Sequence, residues 1–190
     1  MRSRTAHLLI VLLSCLPVLV RAESIDIGPK VGAHIPANFM VRDAAGASKQ
    51  LADITGERGV VIAFVRSAAW CPFCQQQLKD LQGIAADLAK KGYKLTSISY
   101  DAPEVLAKFA AKNAITYMML SDQGSAMIDA FDIRDPQYKE GSVAFGVPKP
   151  AIFIVDKTGV VRAKLAEDGY KVRPTLEAIT AAVDGIPHAK

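Results

Sequence analysis

The run from Val60 to Val65, VVIAFV, is apolar at six successive positions. A strand with one wet face alternates, so an unbroken run of this length predicts a strand covered on both faces, as at the centre of an α/β sheet. Past Cys71 the period changes. Leu78, Leu81, Ile84, Ala85 and Leu88 share one face of a helix over 72–91, which Lys90, Lys91 and Gly92 end with cations and a glycine.

The rest of the chain continues this alternation. Tyr93 to Tyr100 (YKLTSISY) has strand periodicity, and Asp101-Ala-Pro-Glu104 has the form of a capping box before Val105, Leu106, Phe109 and Ala110 at helical spacing. Ile115 to Leu120 predicts a short strand, and Ser121-Asp-Gln-Gly124 turns into a short helix through Phe131. Ala151–Val155 and Val160–Leu165 flank DKTG, a hairpin whose glycine ends a type I turn. Pro174 opens a last helix carrying Leu176, Ile179 and Val183. The turn-rich segment 23–58 holds a short hairpin or two. The order β-α-β-α-β-α-β-β-α predicts the α/β class, with a central mixed β-sheet and helices on both faces.

Residues 1–22 have a different character. Arg2 and Arg4 precede an apolar stretch from Leu8 to Val20, and Val20-Arg21-Ala22 has the form of a cleavage site before Glu23. This is the pattern of a secretory signal peptide, leaving residues 23–190 as one mature domain and no stable membrane insertion. Pro17 and the short apolar run argue against a membrane anchor. Leu-Leu-Ser-Cys15 also loosely fits a lipoprotein signal, but the apolar LPVLV that follows does not. The net charge of +4, from 23 basic and 19 acidic residues, falls to +1 once Arg2, Arg4 and Arg21 are removed. No basic stripe with interleaved aromatics remains, so nucleic acid is not an expected partner. An exported chain places its cysteines in an oxidising compartment, the periplasm, and Cys15 leaves with the leader.

Cys71 and Cys74 in SAAWCPFC are then the mature pair. Zinc takes four ligands, and the mature chain adds only His34 and His188, neither in ligand spacing, so no metal and no other cofactor is expected. As a staple the pair closes a ring so small that it gains only about 2 kcal/mol, and so tight a ring is readily reduced. Electron exchange has a mechanism. The pair falls where strand passes to helix, so helix-start N–H groups and the dipole stabilise a thiolate at Cys71. Pro72 suits the first helical turn. Cys71 is expected to be the attacking sulfur, reachable from solvent, with Cys74 one turn deeper to resolve a mixed disulfide. Trp70 is expected to wall the sulfur or to serve as a core aromatic.

SAAWCPFC resembles the WCxxC active site of thioredoxin-fold oxidoreductases. From about Val31 to Val183 the chain resembles the redoxin, or alkyl hydroperoxide reductase/thiol-specific antioxidant (AhpC/TSA), branch of that superfamily. VGAHIPANFMVRDAAGASKQLADI, VVIAFVRSAAWCPFC, LSDQGSAMIDAF and PAIFIVDKTGVVRA carry the resemblance in their order and spacing. It implies a thioredoxin-like fold and a proline, usually cis, facing the cysteines at a strand start. Pro150 takes that place, with Pro148 the lesser candidate, and a cis bond would bare the backbone edge of Lys149 for an incoming peptide. The peroxide-reducing motif of true peroxiredoxins, P-x-x-x-T-x-x-C, aligns its cysteine with Cys74. Ser67 then stands in place of the proline, Cys71 of the threonine, and Pro150 of an assisting arginine. Arg66 is either an electrostatic stand-in near the thiolate or a surface residue.

Three functions follow from this reading. The first is an exported thiol–disulfide oxidoreductase acting on thiols or disulfides of partner proteins. The second is an antioxidant thiol peroxidase reducing hydroperoxides, with Cys74 attacking and Cys71 resolving. The third is a redoxin that binds without turnover. No acid follows the Val60–Val65 strand, where many thioredoxins hold a buried carboxylate, and the insertion Asp135–Val147 is expected to be a surface loop that shapes partner choice.

Overall fold

The computed structural model of the protein describes residues 25–187. The expected leader, Cys15 and His188 lie outside them. Seven strands form one mixed sheet in the order β2-β1-β5-β4-β3-β6-β7. The central strand is β3 (Gly59–Phe64), parallel to β4 (Tyr93–Ser99) on one side and antiparallel to β6 (Ala151–Asp156) on the other. β4 pairs in parallel with β5 (Met118–Ser121), and β6 turns back into β7 (Val161–Leu165). The expected N-terminal hairpin is β1 (Val41–Arg42) with β2 (Ser48–Lys49), joined to the far edge through β5.

The all-apolar character of β3 follows from its place. Val60, Ile62 and Phe64 enter one core with Phe131, Phe153 and Val155, while Val61, Ala63 and Val65 enter the other with Leu78, Ile152, Ile154 and Val183. In the first core Phe64, Phe131 and Phe153 pack ring to ring, with centroids 4.8 to 5.9 Å apart. It is covered by α1 (Leu51–Ile54) through Ile54 and by α4 (Ala126–Ala130) through Met127 and Ile128. The second lies under α2 (Pro72–Lys90), α3 (Pro103–Asn113) and α5 (Leu176–Asp184). β3 and β6 approach so closely that a Cβ on Gly59 would lie 2.1 Å from the Val155 carbonyl oxygen.

Two expected helix starts differ. Asp101 does not cap α3, whose N-cap is Ala102 with no side-chain bond; the Asp101 carboxylate is engaged elsewhere, as described below. Pro174 lies before α5, which Thr175 caps by accepting the Ala178 N–H at 3.1 Å. The strand expected over 115–120 forms later, at Met118–Ser121, because the chain after α3 first passes through Ala114 in the left-handed region, φ 52°. No helix among the described residues is long and apolar enough to cross a membrane.

Candidate active site

The loop Ser67–Trp70 carries the chain from β3 to α2, and one buried acid organises it. Asp101, just beyond β4 and 7% exposed, accepts from Ser67 Oγ (2.7 Å), the Ala68 N–H (2.6 Å) and Ser99 Oγ (2.8 Å). Ser67 Oγ in turn accepts the N–H groups of Ala69 and Trp70. Gln75 Nε2 reaches back from α2 to donate to the carbonyls of Ala68 and Ala69 at 2.9 and 3.0 Å. The loop therefore delivers Cys71 to the helix start at a fixed place. A buried carboxylate thus serves this loop from the end of β4, the neighbour of the strand on which none was found in the sequence.

Cys71 and Cys74 are joined as a disulfide. Cys71 is the N-cap of α2, its sulfur accepting the Cys74 N–H at 3.3 Å, and Pro72 is the first helical residue. The expectation that Cys71 is reachable from solvent is overturned: Cys71 is 1% exposed and Cys74 0%. Both sulfurs sit in the second core with Val65, Ala68 and Leu78. In addition, the strap Ala166–Thr175 between β7 and α5 lies against the motif. Its Tyr170 ring packs edge-on to Phe73 at 6.0 Å, and Arg173 Nη2 donates to Cys74 Sγ at 3.5 Å. Arg173 also donates from Nε to Gln77 Oε1 at 2.8 Å and from Nη1 to the carbonyls of Tyr170 and Val172. Burial, with the charge of Arg66 adding to it, lowers the Arg173 pKa to about 10, so it remains a cation at neutral pH.

Arg66 is not a surface residue; it is 3% exposed. Its guanidinium carbon lies 4.2 Å from the ring centroid of Tyr170, 4.9 Å from Tyr138 and 5.1 Å from Trp70. Its Nη2 donates to Tyr138 Oη at 2.6 Å, and it makes no side-chain hydrogen bond to either sulfur. Trp70 is half-buried against the second core, and its indole N–H donates to Tyr100 Oη at 2.9 Å. Tyr100 Oη donates to the Val143 carbonyl, and burial raises its phenol pKa. The insertion 135–147 is therefore more than a surface loop: Asp135, Ala144 and Val147 are buried, Tyr138 stacks on Arg66, and the Val143 carbonyl accepts from Tyr100.

The reading of Pro150 and Lys149 needs correction. The Phe64–Ala151 pair puts Pro150 at the sheet end that carries the disulfide loop. No peptide bond among the described residues is cis, however, so the Lys149–Pro150 bond is trans. The Lys149 N–H donates to the Ile133 carbonyl at 2.7 Å, and Pro148 bridges to Arg134. The backbone edge expected to receive a peptide is already paired within the chain. His34 lies apart from the cysteines, bridged to Val160.

Asp101, Tyr138, Tyr170 and Arg173 were not singled out from the sequence as site residues. Only Asp101 left a trace, an acid directly after a strand that runs parallel to the strand feeding the cysteines.

Residues 31–164 match the AhpC/TSA family. A putative peroxiredoxin of Mycobacterium tuberculosis is 32% identical over 144 residues, covering 76% of this chain and 87% of that protein. Peroxiredoxin Bcp of Escherichia coli is 27% identical over 133 residues, 70% and 83% of the two chains. The fold is similar to the crystal structure of peroxidoxin BcpB from Mycobacterium tuberculosis (TM-score 0.67, 22% identity, 82% and 94% covered). It is also similar to that of a peroxiredoxin-like protein from Aquifex aeolicus (TM-score 0.71, 20% identity, 87% and 92% covered). With a mixed sheet of thioredoxin type and a cysteine pair joined at the start of its longest helix, the chain belongs to the AhpC/TSA family and is a peroxiredoxin-like, thiol-dependent oxidoreductase.

Proposed function

We propose that this chain is an exported thiol–disulfide oxidoreductase that cycles Cys71 and Cys74 between a disulfide and a dithiol. The observation that carries the reading is the disulfide itself, with Cys71 as the N-cap of α2 and a cation on Cys74. In the reduced chain the helix start favours the Cys71 thiolate. That thiolate attacks a partner disulfide, and one partner sulfur leaves and takes a proton. Cys74, ionised beside Arg173, then attacks Cys71 and releases the second partner sulfur. The chain loses two electrons, which the partner gains with two protons. Because both sulfurs are buried, exchange requires the strap to move off Cys74. The leader pattern from Arg2 to Ala22 supports export to the periplasm, where a cysteine pair of this kind meets oxidising conditions.

One observation favours a second reading, hydroperoxide reduction by Cys74. Arg173 Nη2 places positive charge at that sulfur although the position expected to hold an arginine holds Pro150. A Cys74 thiolate would attack the peroxide and become a sulfenic acid, the leaving oxygen taking a proton. Cys71 would then condense with it, releasing water and forming the disulfide.

Trapping separates the roles. Cys74→Ser is expected to accumulate a mixed disulfide between Cys71 and one sulfur of a partner disulfide, the other partner sulfur leaving as a thiol; accumulation only through Cys74 in Cys71→Ser reverses the assignment. Stopped-flow oxidation of the dithiol by hydrogen peroxide, followed by the single tryptophan, tests the second reading, which fails at a rate no higher than that of free cysteine.

A further inference from the structure

Arg173 bonds Cys74 Sγ and Arg66 is stacked on Trp70, next to Cys71, and neither cation has a carboxylate partner among the described residues. The ion pairs there use Asp26, Asp43, Asp87, Asp129, Asp156 and Asp184, none with Arg66 or Arg173. Glu167, on the same strap as Arg173, leaves a buried carboxylate oxygen without any partner and so does not serve them. Burying a guanidinium without a counter-ion is costly. The three rings around Arg66 offset part of that cost through cation–π contact. They do nothing for its Nε, which is buried and has no hydrogen-bond partner. The Arg66 charge is felt at Arg173, where it adds to the lowering of the pKa. A neutral disulfide leaves this concentration of positive charge unanswered.

A Cys74 thiolate would answer Arg173 after reduction, but Arg66 donates to no sulfur, so its open Nε needs another anion. A groove of about 280 Å³ runs between α2 and the strap, lined by Phe73, Gln77, Lys171 and Arg173, with Asp80 its single acid. The groove reaches Arg173 but is not lined by Arg66, and its volume has room only for a small molecule. Tyr170, half-buried between exposed neighbours at 168–169 and 171–172, has the shortest of the three ring contacts with Arg66, 4.2 Å from its centroid to the guanidinium carbon.

We propose that Arg66 and Arg173 form an anion subsite beside the Cys71–Cys74 disulfide, and that the chain's reductant is a low-molecular-weight thiol bearing a carboxylate. The inference rests on the exchange reading above. The acid group takes the open Nε of Arg66 as Tyr170 moves aside, which brings the thiolate to the disulfide. The thiolate attacks Cys71 Sγ, the S–S bond breaks, and Cys74 leaves as a thiolate beside Arg173. A second thiol molecule, as thiolate, attacks the mixed disulfide and releases the symmetrical small disulfide and reduced Cys71. Two electrons enter the chain, and the protons of the two thiols pass to solvent or to the new cysteine thiols.

The test reduces the oxidised mature chain with 3-mercaptopropionate, 2-mercaptoethanol and cysteamine, which are anionic, neutral and cationic. Each rate is divided by that of the same thiol with the neutral disulfide of 2-mercaptoethanol, removing intrinsic reactivity. Mercaptopropionate is expected to exceed mercaptoethanol on the order of tenfold, with cysteamine slowest. Arg66→Gln is expected to bring the ratio of the first two toward one. In the unmutated protein, added propionate is expected to slow mercaptopropionate toward the neutral rate, a result that does not depend on the variant folding. Equal normalised rates for the three thiols overturn the anion subsite and leave the exchange reading standing. Failure of all three to reduce the disulfide overturns the exchange reading itself.

Discussion

Replacing Arg173 with methionine keeps most of the apolar stem and removes the charge from Cys74 Sγ, 3.5 Å from Nη2. Two unit charges at about this separation interact by about 4 kcal/mol at an effective dielectric of about 20. Arg173 is only partly buried, so solvent screening reduces that figure. A charge-assisted hydrogen bond of about 1.5–3 kcal/mol is the better guide. With the neutral disulfide sulfur the contact carries no charge–charge attraction, whereas with the thiolate it is charge-assisted, so its loss destabilises chiefly the reduced form. The Cys74 thiol pKa in the reduced chain is then expected to rise by about 1–2 units. The disulfide becomes harder to reduce, its potential falling by about 30–65 mV, since about 30 mV corresponds to 1.4 kcal/mol for two electrons. A redox titration against glutathione, read by the fluorescence of Trp70, measures the potential, and thiolate absorbance against pH measures the ionisation. Arg173 also bonds Gln77, so Gln77→Ala is the control: it removes that contact and leaves the charge. An unchanged potential in Arg173→Met, or an equal shift in both variants, would refute the assignment of charge at Cys74.

Asp101→Ala orphans three buried donors, those of Ser67, Ala68 and Ser99. At about 1–3 kcal/mol each, urea unfolding should show a loss on the order of 3–5 kcal/mol, and a loss below about 1 kcal/mol contradicts the role given to this acid. For Asp156, burial alone would raise the carboxyl pKa, but hydrogen bonds from Thr158, the Val160 and Thr158 N–H groups and Arg162 outweigh it and hold it at about 2. A depressed folded pKa contributes stability that is complete above the unfolded value of 3.8 and is lost as pH falls toward about 2. Unfolding curves between those limits should therefore be flatter in Asp156→Asn than in the parent chain, and parallel curves would contradict this.

The sheet and its order of elements were legible because they rest on local pattern. Six apolar residues from Val60 to Val65, five of them in β3, leave no wet face, and the Leu78–Leu88 spacing admits only a helix. The cysteine pair was legible for the same reason, lying in one short segment at the passage from strand to helix. The surroundings of the pair were not. Asp101 carries the local signature of a cap, but the parallel β3–β4 pairing places it beside the Ser67 loop, and three donors there outweigh one cap. Arg173 stands 99 positions from Cys74 and Tyr138 stands 72 from Arg66. No periodicity links such residues; only the packing of the strap and the insertion over the sheet end brings them to the site. The pairing of Lys149 with Ile133 has the same origin, a contact between segments that the motif does not encode.

Arg173 bears on the choice between exchange and peroxide reduction. The position aligned with an assisting arginine holds Pro150, yet a guanidinium reaches Cys74 from the strap, so a charge function missing from one strand is met by another segment. Charge at the sulfur serves either chemistry. Peroxide reduction asks for more: donors set around both oxygens as charge develops on the leaving one. Two of the helix-start groups nearest the pair are already engaged. The Cys74 N–H donates to Cys71 Sγ and the Gln75 N–H to the Cys71 carbonyl, while the Gln75 side chain holds the carbonyls of Ala68 and Ala69. Of the groups bonded to Cys74 Sγ, Arg173 alone is a side-chain donor, and its Nε and Nη1 are taken by Gln77, Tyr170 and Val172. Disulfide exchange needs only an ionised sulfur, a good leaving sulfur and a way in. On the reading proposed above, Arg173 and the helix start would supply the first two and movement of the strap that carries Arg173 the third, which is why exchange is proposed ahead of peroxide reduction.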